Sequence, residues 1–302
     1  MTVLLLKALA IGVTVVTLLA AGVAVAAVGG AFDQDENPAA RPAALQADRF
    51  DGRRAFAELR RQVELGPRPA GSTRLRKLAE RLRRSLPRGR FEAVPNHPGL
   101  RNIVGHLPGT KPAVVVAAHY DTKKLKGFVG ANDGAGGTAA VLELARVLRR
   151  MKRPEGAPEL RFVLFDGEEA TNDKADFRLT GLRGSQAYAR AHADELRAVV
   201  VLDFVADKRL RIRREAGSDR ELWSRLRAAA RAVGARSTFP PGAQDEITDD
   251  HTPFVEAGVP AIDLIDFDFP CWHKACDDMS AVSAASLDRS GEAVLELLRT
   301  WR

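Results

Sequence analysis

Five apolar residues, Val114-Val115-Val116-Ala117-Ala118, run directly into His119-Tyr120-Asp121, and a polar loop then leads to the glycine-rich turn Asn132-Asp133-Gly134-Ala135-Gly136-Gly137. An apolar run bounded by Pro112 on one side and polar residues on the other predicts a strand buried on both faces, as in a parallel sheet. Open α/β sheets hold their ligands outside the carboxyl ends of the strands. His119 and Asp121 are therefore expected where such a sheet keeps its chemistry. Over residues 138–151, Val141, Leu144, Ala145 and Leu148 recur at helical spacing. That helix puts Asp133 at a loop-to-helix junction near His119.

The same arrangement recurs along the chain. The run 160–165 delivers Asp166-Gly167-Glu168-Glu169, the run 199–202 ends in Asp203, and the run 261–265 contains Asp263 and precedes Cys271-Trp272-His273. Asp249-Asp250-His251-Thr252-Pro253-Phe254 stands before a short predicted helix. Amphipathic helices are predicted over 51–65, 72–86, 184–192, 218–233 with Ser218 as N-cap, and 283–301. Further strands are predicted over 91–94 and 102–106, with a more exposed one over 209–213. A doubly wound α/β sheet built from these elements would bring His119, Asp133, Glu169, Asp203 and His273 to one edge.

Two imidazoles and three carboxylates are suitable zinc donors, and one shared carboxylate can bridge two ions. Asp121 is expected to orient His119 from behind. Of the adjacent glutamates, one can bind metal while its neighbour works as general acid or base. Each residue taken singly has an ordinary reading as a solvated turn or a satisfied core group. Five of them at successive strand ends do not.

Composition narrows the alternatives. With 302 residues, 45% of them hydrophobic, the chain can bury a substantial core. The net charge of +7 comes from arginines spread along helical segments such as 74–90, without interleaved aromatics. That pattern fits solvated helix faces, and no nucleic-acid partner is expected.

Residues 8–31 carry no charge and are long enough to cross a bilayer. Lys7 precedes them and Asp33, Asp35 and Glu36 follow, which orients the rest of the chain outside the cytoplasm. The small residues near the end of this stretch also suit a cleaved signal peptide. Either way the remainder is exported, membrane-anchored or secreted. The expected organisation is an anchor or signal over 1–31, a flexible linker over 32–49, and a catalytic domain over 50–302, with folding starting near Phe50. A monomer is expected. Cys271 and Cys276 flank His273; in an oxidising compartment they are expected to form a small disulfide, the alternatives being a buried apolar cysteine or a zinc neighbour.

The pattern resembles the M28 family of zinc exopeptidases. The residues that carry the likeness are HYD at 119–121, NDGAGG at 132–137, GEE at 167–169, Asp203 and His273. The resemblance implies a three-layer α/β/α sandwich around a mixed, mostly parallel sheet. For an aminopeptidase it implies one zinc on His119, Asp133 and Asp203, a second on Asp133, Glu169 and His273, and Glu168 as base. A closer likeness is to the glutaminyl-peptide cyclotransferase branch, through HYDTK (119–123), ANDGA (131–135), DDHTPF (249–254), GVPAIDLI (258–265) and Trp272-His273. That likeness implies a single zinc on Asp133, Glu169 and His273. It also implies a proton-handling network of Glu168, Asp203 and Asp249, Trp272 against the substrate, and peptide or protein N-termini as substrates. Residues 170–174 lack the tryptophan of that branch, and Asp263 stands where it often has histidine, which implies a differently lined pocket. A catalytically inactive binding ectodomain would have lost ligands, and all five are present.

Overall fold

The computed structural model describes residues 45–301. The expected anchor or signal over 1–31 and most of the linker lie outside them. Among the described residues no helix is long and apolar enough to cross a membrane.

The chain opens with α1 (Gly52–Val63) and α2 (Thr73–Ser85), then β1 (Arg90–Ala93), β2 (Arg101–Leu107) and β3 (Thr110–His119). After α3 (Ala135–Arg150) come β4 (Pro158–Phe165), α4 (Phe177–Thr180), α5 (Arg183–His192) and β5 (Leu196–Leu202). The last part holds β6 (Arg214–Glu215), α6 (Arg220–Ala232), β7 (Ala243–Gln244), α7 (Thr252–Glu256), β8 (Ala261–Leu264) and α8 (Ala284–Arg299). Six strands form one mixed sheet in the order β1-β2-β4-β3-β5-β8. The pairs β1/β2 and β2/β4 are antiparallel, whereas β4/β3, β3/β5 and β5/β8 are parallel.

The period-2 alternation of strand side chains explains why the central strands are apolar throughout. On β3, Val114, Val116 and Ala118 enter the core formed with α1, α2, α3, α6 and α8, while Ala113, Val115 and Ala117 face α5 and α7. Leu160, Phe162 and Leu164 of β4 take the first side; Val163 and Phe165 take the second, against Tyr188 and Phe254. Helices on both faces of a mixed sheet give the expected α/β/α sandwich.

Three expectations change. Residues 209–213 form no strand: Ile212 N–H donates to Thr238 O and Arg211 N–H to the Asp266 carboxylate, so these bonds leave the sheet ladder. The alternation there is real, since Leu210 and Ile212 both enter the core, but an irregular segment produces it. The N-cap of α6 is Asp219, whose side chain accepts from Leu222 N, while Ser218 Oγ instead accepts from Asp263 N. Ordered contacts also begin before Phe50. Leu45 and Ala47 lie against the core, and Gln46 N–H donates to Val233 O.

Candidate metal and catalytic site

The four neighbouring strands β4, β3, β5 and β8 end on one side of the sheet, and each delivers chemistry there. His119 is the last residue of β3, Glu168 and Glu169 follow β4, Asp203 follows β5, and His273 sits in the loop after β8. Asp133 joins them from the turn before α3. Gly134 has φ 91°, and a Cβ there would stand 2.6 Å from Asp121 O. Only glycine lets the chain turn so close to the end of β3.

His119 Nε2 lies 3.1 Å from Asp203 Oδ1 and 3.2 Å from Asp133 Oδ1. His273 Nε2 lies 3.4 Å from Glu169 Oε2 and 3.6 Å from Asp133 Oδ2. Two triads result, His119-Asp133-Asp203 and Asp133-Glu169-His273, sharing Asp133. Tetrahedral zinc bonded at about 2.0–2.1 Å holds its donors roughly 3.3 Å apart, and the separations here bracket that spacing. Asp133 Oδ2 and Glu169 Oε1 are buried without a hydrogen-bond partner. Orphaned buried donors of this chemistry fit a cation.

The electrostatics of the metal-free protein agree. Burial pushes the Glu169 carboxyl up to about 7, with Asp133 adding to the shift against His273. Burial also drives Asp203 well above the usual carboxylate range, and Asp249 reinforces it. For His119, burial opposes charge, but Asp121, Asp133 and Asp203 overcome it and raise the imidazole well above its ordinary value. Carboxylates crowded together in a buried site await a positive charge.

Glu168 is buried and its Oε2 is 3.9 Å from His119 Nδ1. Burial raises its carboxyl well above the usual range despite the opposing effect of His119. Asp121 stands 3.6 Å from His119 Nδ1, and its Oδ1 also accepts from Gly167 N and Glu168 N. It thus fixes the backbone that carries Glu168 as well as facing His119. Asp249 is buried, with its N–H donating to Thr252 Oγ1. A cavity of about 560 Å³ opens over the site, lined by Asp133, Glu168, Glu169, Asp203, Asp249, His273 and Trp272 among others. Of the residues expected to bind metal, move protons or pack on substrate, all but His119 border it, and Asp121, expected to orient His119, does not. Trp272 is 44% exposed, its ring 4.7 Å from that of His273 and 4.9 Å from that of Phe267.

Sequence reasoning passes over Lys123, which is buried with Nζ 3.6 Å from Glu169 and 2.5 Å from Asp173. A lysine so soon after a strand-end histidine is the signal that could have found it. Phe204 and Phe267, whose rings stack at 6.2 Å, also line the cavity. No periodicity marks loop aromatics of this kind. Cys271 and Cys276 form a disulfide, with Cα atoms 5.4 Å apart.

Comparison with known proteins follows the same lines. The profile of peptidase family M28 matches residues 102–298. Aminopeptidase YwaD of Bacillus subtilis (strain 168) is 30% identical over 197 residues, covering 60% of this chain and 39% of that protein. Glutaminyl-peptide cyclotransferase of Drosophila melanogaster is 29% identical over 217 residues, covering 62% of this chain and 61% of that protein. The chain thus spans about two to three fifths of the length of these relatives. Among solved structures, a glutaminyl cyclase from an Acidobacteriales bacterium superposes with a TM-score of 0.73 at 28% identity, covering 88% of this chain and 98% of that one. The glutaminyl cyclase of Porphyromonas gingivalis superposes with a TM-score of 0.73 at 28% identity, covering 83% and 99%. With the matched profile spanning most of the sheet and both candidate triads, the chain belongs to peptidase family M28.

Proposed function

We propose that this chain is a zinc-dependent enzyme of peptide N-termini, and that its reaction is glutaminyl cyclisation with release of ammonia. The observation that carries the reading is the juxtaposition of the Asp133-Glu169-His273 triad with the buried Glu168, on the floor of a cavity walled by Trp272 and Phe267. What zinc on that triad supplies is polarisation of the side-chain amide carbonyl of an N-terminal glutamine. Glu168 takes a proton from the attacking α-amine and gives it to the amide nitrogen, which leaves as ammonia. One C–N bond closes the five-membered ring and the other breaks. Asp203 and Asp249 sustain the proton-handling side of the site. Trp272 packs against the substrate. The resemblance in the motifs around 119–123 and 249–254, and relatives named glutaminyl-peptide cyclotransferase, support this choice.

A second reading, an aminopeptidase, is favoured by one observation: the His119-Asp133-Asp203 triad offers a second metal position. We also read residues 1–31 as an anchor or signal and residues 50–302 as an exported catalytic domain. The disulfide at 271/276 supports an oxidising compartment.

The test is zinc per chain together with parallel assays on Gln-initiated and Leu-initiated peptides. One zinc with ammonia release and no cleavage is the expected result. Two zincs with release of N-terminal residues would replace cyclisation by the aminopeptidase, and a chain that takes up no zinc overturns both.

A further inference from the structure

We propose that Asp277 is the positioning residue for Asp133, and that residues 271–277 act as a closed clasp fixing Asp133 and His273 relative to one another. The inference rests on the reading of these two residues as zinc ligands.

Asp277 is fully buried, yet it ligates nothing in either triad. Its Oδ1 accepts from Asn132 N at 2.7 Å and its Oδ2 from Asp133 N at 3.1 Å, while its own carbonyl accepts from Ala131 N at 3.2 Å. From the other direction comes Arg68, also fully buried. Its guanidinium donates to Val129 O at 2.6 Å and to Gly130 O at 3.0 Å. Between Val129 and Asp133, two successive carbonyls, those of Val129 and Gly130, are therefore drawn toward a cation, and two successive amides, those of Asn132 and Asp133, toward an anion. Such charge-assisted bonds are shorter and stronger than neutral ones. Because peptide groups are dipoles, a charge of the right sign at one end of each favours a single orientation. With its backbone held this way, Asp133 can turn one oxygen to each histidine.

The same short segment carries the other ligand. The disulfide between Cys271 and Cys276 closes a ring that contains Trp272 and His273, and Asp277 is the next residue. His273 has φ 50°, a left-handed conformation that a non-glycine residue adopts only when its surroundings hold it there. Buried Phe128, at the start of the gripped loop, meets the His273 ring edge-on with centroids 6.0 Å apart. The 128–133 loop and the 271–277 segment thus touch at both ends, through a ring contact and through the Asp277 carboxylate.

A purely structural carboxylate offers the control. Glu292 is also fully buried and takes two successive amides, Arg49 N at 2.9 Å and Phe50 N at 2.7 Å, but those amides belong to neither triad. The experiment measures zinc affinity by chelator competition, and metal-free thermal unfolding, for the full chain and for Asp277→Asn and Glu292→Gln. Asparagine keeps one acceptor and sets an NH2 against the other amide. Zinc affinity is expected to fall about 10–100-fold in Asp277→Asn, as for other residues that hold ligands in place, and to stay unchanged in Glu292→Gln. Wild-type affinity in Asp277→Asn, or an equal loss in both variants, overturns the proposal. Should Asp277→Asn not fold, the pair Cys271→Ser and Cys276→Ser is titrated instead, and an unchanged affinity there overturns the clasp. An unmodified chain that binds no zinc overturns the metal reading itself, which separates the two failures.

Discussion

Asp133 Oδ1 lies 3.2 Å from His119 Nε2, while its second oxygen faces His273 at 3.6 Å. One carboxylate therefore belongs to both triads, and the two candidate metal positions stand or fall together on it. Asp133→Asn is expected to leave no tightly bound zinc, whereas His119→Ala should still hold one ion through Asp133, Glu169 and His273. Metal analysis of the purified variants checks this. Full zinc content in Asp133→Asn would remove the bridging role.

Glu168 and Glu169 are chain neighbours with different surroundings. Glu169 faces His273 and Lys123, while among the described residues the ion-pair contact of Glu168 is with His119 at 3.9 Å. Glu168→Gln keeps the shape and removes the proton carrier. Turnover should fall by about 10²–10⁴-fold, the usual share of general acid–base catalysis, with zinc content unchanged. A variant that kept most of its activity would take Glu168 out of that role.

Behind the site, His251 Nε2 stands 3.2 Å from Glu215 Oε1. Burial alone would raise the Glu215 carboxyl, but His251, Ser218 and Gly217 outweigh it and bring the value from 4.5 down to about 2. A carboxyl whose folded value is depressed adds stability that is complete above its unfolded value, and loses it as pH falls through the folded one. The stability advantage of the native chain over Glu215→Gln should thus be full at pH 6, shrink below about 4.5, and vanish near 2. Thermal unfolding from pH 2 to 6 measures it. A difference independent of pH would rule out the ionised pair as its source.

The apolar runs ahead of His119, Glu168 and Asp203 are enough, as amino-acid sequence, to mark buried parallel strands, and the rule that ligands sit at strand carboxyl ends brings together the same five candidate donors that lie side by side in the fold. What escapes are groups whose task is defined by the fold alone. Arg68 lies in a proline- and glycine-rich loop and Asp277 beside a second aspartate, Asp278, and neither position differs in pattern from a surface one. Residues 209–213 mislead for the opposite reason, since alternate burial of Leu210 and Ile212 needs no ladder when Thr238 and Asp266 take the backbone bonds.

The glycines at 134–137 link fold and site most directly. A Cβ on Gly137 would stand 1.9 Å from Leu202 O, 2.9 Å from Leu202 C and 3.0 Å from the Ala118 side chain. Both close atoms of Leu202 are backbone of a central strand, so neither can give way cheaply. Alanine within a helix ordinarily gains about 1 kcal/mol over glycine, but forced overpacking of this kind costs about 1–3 kcal/mol or more, and overlap at such short range sits at the upper end. Gly137→Ala is therefore expected to be net destabilising by about 2 kcal/mol, which lowers Tm by roughly 4–8 °C. The helix that must retreat begins just after Asp133, and the strand it retreats from ends just before Asp203. Zinc affinity should consequently fall in the same variant. Calorimetry with chelator competition reads both, and a variant as stable as the original would mean that α3 does not rest on β5 at this glycine.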